Sequence, residues 1–413
     1  MNLTRLTKQL AFTGVTLMAS FTYANDVALT FEQELTELLQ SNELPGAVVH
    51  IKHKDEIIMH KAFGVVNLDE PEKIEKDDLF RIYSMTKPIT AVALLQLVDK
   101  GLVNIDADIR TYLPEFEPFE VDGEVQVVTV HHLLSHTAGF GYGGGLKNWI
   151  DIRYLLANPL SRNNTLAELV DDLSGIDLKF KPGAKFEYSI ASDIQGAIIE
   201  AVTKQPLDEY FHQNIITPLE MTDTDFYVPK SKLNRFVDMY EYDAGTFEQA
   251  YTFDRKKILF VESAEDSEYL SKPTLISAGG GLISTAQDYA NFVQMLLNKG
   301  RFNGKQILSE SLVNAMLSSH TVGLDTHFMP RVYNGVGFGY GVGIKEIAGD
   351  ERKQGSFFWA GMGGTIFWAD PKTDLQVVVM FQVEDGWVGL EKWMIPQVYK
   401  LLNQTSVKQV AGK

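Results

Sequence analysis

Strand-like stretches at both ends of this chain enclose a long helical middle, and that order limits the folds open to it. Ala47-Val48-Val49-His50-Ile51 and Glu56-Ile57-Ile58-Met59 read as strands around a turn at residues 52–55, the second continuing towards Val65. A helix over Phe31–Leu39 precedes them, with Pro45-Gly46 as the break. Strand patterns return only over Gly335–Ile347, Ser356–Trp368 and Leu375–Gln382, and a last helix over about Leu390–Leu402 closes the chain. The middle, residues 80–330, predicts helices at Val130–Leu134, Thr165–Leu173, Ile190–Val202, Leu207–Asn214, Ala286–Asn298 and Ser309–Leu317. Such an order predicts an α/β chain of the α+β kind: one antiparallel sheet built from both chain ends, with a helical region inserted between its halves. The sheet parts fall at about 32–75 and 335–403, and no repeat or low-complexity linker divides the chain.

The first residues point to a compartment. Arg5 and Lys8 precede an apolar run from Leu10 to Phe21, and Thr22-Tyr23-Ala24 offers small residues for cleavage. The run is too short to span a bilayer, so residues 1–24 predict a signal peptide cut near Ala24, with an uncleaved anchor as the alternative. Residues 25–413 then form one exported domain, periplasmic or secreted, with no stable membrane span. The chain has no cysteine, which excludes disulfides, a thiol nucleophile and a thiolate metal site. Its net charge of −17 repels phosphate backbones and argues against nucleic-acid partners.

Ser84-Met85-Thr86-Lys87 puts a hydroxyl and an amine three residues apart where a helix begins, so both side chains share one face. Apolar residues from Ile89 to Val98 carry that helix to about Lys100, and Gly101 stops it. Pro88 is tolerated because it falls in the first turn. A serine hydroxyl becomes a useful nucleophile only when a nearby base takes its proton, and a buried lysine is one such base or tunes another. A capping serine followed by a solvated lysine is the alternative reading of the same four residues.

Two more stretches could complete such a site. Tyr188, in Phe186-Glu187-Tyr188-Ser189-Ile190, lies between a Lys181-Pro182-Gly183 turn and a helix, where a phenol can reach a cleft and shuttle a proton. Trp359-Ala360-Gly361-Met362-Gly363-Gly364-Thr365 reads as a strand whose small residues let a ligand approach the backbone. Each also has a plain reading, as a core tyrosine and as a glycine-rich bend. In this order, Ser-x-x-Lys, Tyr-Ser-x and Trp-x-Gly resemble the motifs of the penicillin-recognising serine hydrolases. Within that group the chain is most similar to the class C β-lactamase type and the family VIII carboxylesterases. Phe80-Arg81-Ile82-Tyr83, Leu133–Gly139, Gly279–Thr285 and Asp370-Pro371-Lys372 carry the likeness further, so that it spans about residues 32–403.

The resemblance implies a β-lactamase/DD-peptidase-like fold and an acyl-serine mechanism. Ser84 would be the nucleophile, Lys87 its helical partner, and Tyr188 the base and acid. The amides of Ser84 and Met362 would hold the oxyanion, while Tyr142, Ile190, Trp359, Ala360 and Gly361 would contact substrate. No cofactor or metal is implied, and His131, His132 and His136 lack metal-ligand spacing. His136 is expected to fix its own loop, and Phe140–Gly145 to form a mobile rim.

The departures from the family pattern concern charge. Trp359 stands where lactamases and peptidases carry lysine, and Ile190 where they carry asparagine, so the carboxylate of a penicillin or a D-alanyl peptide loses its natural clamp. Arg352 or Lys353 reaching the site would restore it. The expected substrate is therefore a small uncharged ester or amide, with β-lactamase, D-alanyl carboxypeptidase or amidase work as the alternative and a non-catalytic penicillin-recognising binding protein as a second. Oligomeric state is not readable from the sequence.

Overall fold

The computed structural model describes residues 29–69, 71–143, 148–243, 258–324, 335–347 and 349–411, with side chains to residue 403. The signal-like segment 1–24 lies outside the described residues. The described residues open with helix α1 (residues 29–41) and a hairpin of β1 (Ala47–His53) and β2 (Glu56–Phe63). Lys54, in its turn, has φ of 57°.

The stretches at 335–347 and 356–368 depart from the single strands their pattern predicts: each is a hairpin. β3 (Val336–Phe338) turns back into β4 (Gly343–Lys345), and β5 (Phe357–Ala360) into β6 (Ile366–Asp370). The cause is local. Gly341 and Gly364 have φ of 77° and 103°, left-handed backbone that reverses a chain and that side-chain periodicity does not report. The glycines from Gly335 to Gly343 thus flank a turn, and the packing around them is close. A Cβ on Gly339 would lie 2.2 Å from the Met316 carbonyl oxygen.

With β7 (Leu375–Phe381) the sheet has the order β3-β4-β5-β6-β7-β1-β2, antiparallel throughout. Both chain ends contribute, as expected. β7 is buried at every position, which requires cover on both faces. Alternation assigns that cover. Val49, Ile51, Phe358, Trp368 and Val377 pack with α1 and the terminal helix (Trp387–Ala411), whereas Val48, Phe357, Trp359, Phe367 and Val378 join the core of the helical region.

That region is organised around α2 (Thr86–Asp99), buried continuously from Thr86 to Leu97. A helix apolar all round belongs inside a protein, and each fully buried leucine contributes about 1.5–3 kcal/mol. α3 (Ala191–Thr203) packs on α2, and α4 (Ala286–Leu297) lies against β1 and β7. The start of α4 is locally encoded: Thr285 caps it by accepting the Asp288 amide at 3.1 Å. The helix Leu166–Leu173 opens with a Thr165/Glu168 capping box. The expected 207–214 helix ends early, at Phe211, and continues as a π-turn over His212–Ile216.

The terminal helix is tied to the sheet by charge. Arg352 gives Nη1 to Glu391 at 2.5 Å and Nη2 to Asp350 at 2.8 Å, stacks 4.1 Å from the Phe358 ring, and shares Asp350 with Lys345 at 3.0 Å. The expectation that Arg352 or Lys353 might serve a substrate fails here: Arg352 is committed to this cluster, and the Lys353 amine lies 5.8 Å from the Tyr399 ring.

Burial alone would raise the Asp350 pKa, but Arg352 and Lys345 outweigh it and hold the carboxyl at about 2. A folded pKa below the unfolded value, near ~4, adds stability that is present above pH ~4 and is lost as pH falls towards about 2. Asp350→Asn is expected to cost on the order of 2 kcal/mol in urea melts at pH 7, less than the ~3–5 kcal/mol of a fully buried pair because its side chain is 26% exposed. It should also flatten the loss of stability between pH 4 and 2; an unaltered acid limb would contradict the assignment.

Candidate active site

Ser84 sits in a 3₁₀ turn, Tyr83–Met85, that runs directly into α2. Tyr83 has φ of 41°, a strained value for a side-chain-bearing residue, and it presents the serine at the head of the helix. One turn on, Lys87 points back: its Nζ donates to Ser84 Oγ at 3.2 Å and to the Gly279 carbonyl at 2.6 Å. The predicted i, i+3 contact is present, and the lysine is 1% exposed, which removes the solvated-lysine reading. Burial acts to lower the Lys87 pKa, but the hydroxyls of Tyr142 and Tyr188 outweigh it and the net shift is upward. An upward shift favours the ammonium form of Lys87.

Gly279 belongs to a strap over residues 277–283 laid along the start of α2. Thr90 Oγ1 donates to Ala278 O at 2.7 Å, Leu282 N to Thr86 Oγ1 at 3.2 Å, and Ile82 N to Leu282 O at 3.0 Å.

Tyr188 enters from the segment before α3. The Lys87 amine lies 4.7 Å from its ring centroid, and the Trp359 indole N–H donates to its hydroxyl at 3.3 Å. His136 holds the segment from below: its Nδ1 accepts the Ser189 amide at 3.1 Å, its carbonyl accepts the Glu187 amide at 2.9 Å, and its ring lies 4.9 Å from that of Tyr188. Burial first, then Lys87, drives the His136 pKa well down, so the ring is a neutral brace, as its loop-fixing expectation required.

The third element is the β5–β6 turn that carries Met362. A Cβ on Gly361 would lie 2.3 Å from the Ile82 carbonyl oxygen, so only glycine lets this turn press against the chain leading into Ser84. Gln382 locks the two together, accepting the Arg81 amide at 2.8 Å and donating to Gly363 O at 3.1 Å. The Asp385 amide fixes the Met362 carbonyl at 2.8 Å.

These elements enclose a cleft of ≈ 460 Å³ lined by Ser84, Lys87, Tyr188, Tyr142, Trp359, Ala360 and Met362, with Leu160 and Trp387 adding apolar wall and Asp193 and Asp385 carboxylates. Two expected substrate contacts are not cleft-lining. Ile190 is fully buried in the core at the start of α3, where its amide donates to Gly141 O at 3.2 Å; an apolar side chain there turns inward. Gly361 backs the cleft instead of facing it. The rim is less free than expected: Tyr154 Oη accepts the Gly141 amide at 3.2 Å, while residues 144–147 lie outside the described residues. Tyr142 keeps its place over the cleft, its ring 5.7 Å from that of Tyr188. Sequence reasoning did not single out Asp193 or Gln382. The glycine run at 279–281 was the available signal for the strap, and a lone carboxylate or amide carries none. Among the described residues no group of three acidic or histidine side chains could hold a metal.

A family model described as Beta-lactamase matches residues 31–394. Esterase EstB of Burkholderia gladioli is 29% identical over 378 residues, covering 86% of this chain and 91% of that one. EstCE1, described as a hydrolase with promiscuous acyltransferase activity, superposes with a TM-score of 0.78 at 23% identity, covering 92% of this chain and 99% of its own. The octameric penicillin-binding protein homologue of Pyrococcus abyssi gives a TM-score of 0.68 at 22% identity, covering 91% and 77% respectively.

If Gln382 aligns the Ser84 and Met362 segments, Gln382→Ala should slow labelling of Ser84 by a fluorophosphonate about tenfold, equal to ~1.4 kcal/mol, with the pH dependence of labelling unchanged and the melting temperature lowered by a few degrees. Labelling at the unmodified rate would show that the two segments hold their places without it.

Proposed function

The chain belongs to the beta-lactamase family and is a serine hydrolase, and from that premise we propose that it cleaves uncharged carboxylic esters through an acyl-serine intermediate. Ser84 attacks the ester carbonyl as Tyr188, reacting as a phenolate stabilised by the Lys87 ammonium beside it, takes its proton. The amides of Ser84 and Met362 receive the oxyanion, a contact whose loss typically costs ~3 kcal/mol. Collapse expels the alcohol, which regains the proton from Tyr188, and water then attacks the acyl-serine by the same route to release the acid.

The observation that carries the ester reading is the charge of the cleft. Its described lining holds one cation, Lys87, already donating to Gly279 O and Ser84 Oγ, beside the carboxylates of Asp193 and Asp385. Where a lactamase would need a clamp for the substrate carboxylate, Trp359 gives its N–H to Tyr188. The likeness to an esterase along 86% of the chain supports the same reading. Export belongs to this proposal as well: residues 1–24 have the make-up of a leader, and N-terminal sequencing of the protein recovered from its cells should begin near Asn25.

A short-chain nitrophenyl ester is expected to turn over, with Ser84→Ala lowering kcat by about 10⁴-fold or more and Tyr188→Phe by at least about 10²-fold. A cephalosporin hydrolysed faster than the ester would overturn the substrate class. Full ester turnover in Ser84→Ala would overturn the mechanism.

A further inference from the structure

Asp193 lies in the first turn of α3, 1% exposed, five residues after Tyr188 and on the wall of the same cleft. Nothing in the acyl-serine chemistry above uses it. Its Oδ1 accepts the Ser277 hydroxyl at 2.8 Å and the Gly279 amide at 3.0 Å, and Gly279 in turn offers its carbonyl to Lys87 Nζ at 2.6 Å. Carboxylate, peptide unit and ammonium thus form one line, with the Gly279 peptide polarised from both ends. The fit is close: a Cβ on Gly279 would stand 2.4 Å from Asp193 Oδ2 and displace the carboxylate that grips the link.

We infer that Asp193 is a positioning residue for acyl transfer: through the Gly279 peptide it holds the Lys87 amine against Ser84, and its negative charge balances the buried ammonium. A buried cation without a counter-charge carries a large desolvation cost, and the other groups around Lys87 are the phenols of Tyr142 and Tyr188 and the neutral ring of His136. Burial shifts the Asp193 carboxyl pKa upward on balance, and Lys87 and the two donors from Ser277 and Gly279, which favour the ionised form, oppose that shift. The inference rests on Ser84, Lys87 and Tyr188 being the reacting site.

Asp193→Asn separates shape from charge, because an amide oxygen can still accept from Ser277 and Gly279. With a nitrophenyl ester, the variant is expected to lose about tenfold in kcat with KM within about twofold, and a limb of its pH–rate profile should move by about one unit. Asp193→Glu, which restores the charge, should return the limb to its place even if kcat stays low. An Asp193→Asn enzyme with wild-type kcat and profile would overturn the inference, as would one that loses only melting temperature. Should that variant not fold, Ser277→Ala removes one donor and should lower kcat about threefold; no change would equally overturn it. Absence of ester turnover in the unmodified enzyme would instead refute the proposed function.

Discussion

A lysine ammonium sealed from water needs acceptors on every side, and much of this structure is arranged to supply them. Lys87 finds the Gly279 carbonyl and Ser84 Oγ, with two phenols alongside. Meeting that need fixes the strap at residues 277–283 against α2, which requires Thr86 and Thr90 to face it as hydrogen-bonding residues. It also fixes α3, since the carboxylate that grips Gly279 stands on that helix's first turn. The desolvation of one amine, several kcal/mol if unanswered, thereby sets the relative positions of α2, α3 and the strap.

The sheet contributes differently. Its β5–β6 turn is held against the segment before Ser84 by contacts that involve no charged side chain: a glycine pressed on the Ile82 carbonyl and a buried glutamine reaching both ways. Helical region and sheet therefore meet at the site through a hydrogen-bonded seam, the kind of support that keeps amide donors aimed without reorganisation. Trp359 belongs to both sides, with its ring in the core of the helical region and its N–H on Tyr188.

What could be read in the sequence follows the range of the interactions involved. Ser84 and Lys87 are joined by one helical turn, and helical periodicity places them. The strands from both chain ends and most helices also announce themselves through side-chain pattern and caps. Tyr188 and Trp359 lie far apart along the chain, and only resemblance to a family placed them together. The hairpins at 335–347 and 356–368 escaped notice because their reversals are made by glycines, whose left-handed backbone leaves no mark on a hydrophobic pattern. Ile190 was read by analogy to a polar residue, although nothing obliges an isoleucine to face a cleft. Arg352 was read as a free charge when two carboxylates, one of them 39 residues away at Glu391, already held it. Asp193 and Gln382 were out of reach for a related reason: their function lies in backbone groups of distant segments that they hold in place.

The pairing of β7 with β1 sets the register of Ala47 opposite Phe381. The first hairpin therefore emerges from the ribosome without its neighbour, and β1 must wait for nearly the whole polypeptide before its inner edge is satisfied. Until then it is an unpaired template for foreign strands. A truncated product ending before residue 375 would retain Ser84, Lys87, Tyr188 and Trp359 and yet lack the strand that closes the sheet. The hairpin made early in synthesis thus gains its sheet neighbour only when the last strand, Leu375–Phe381, is complete.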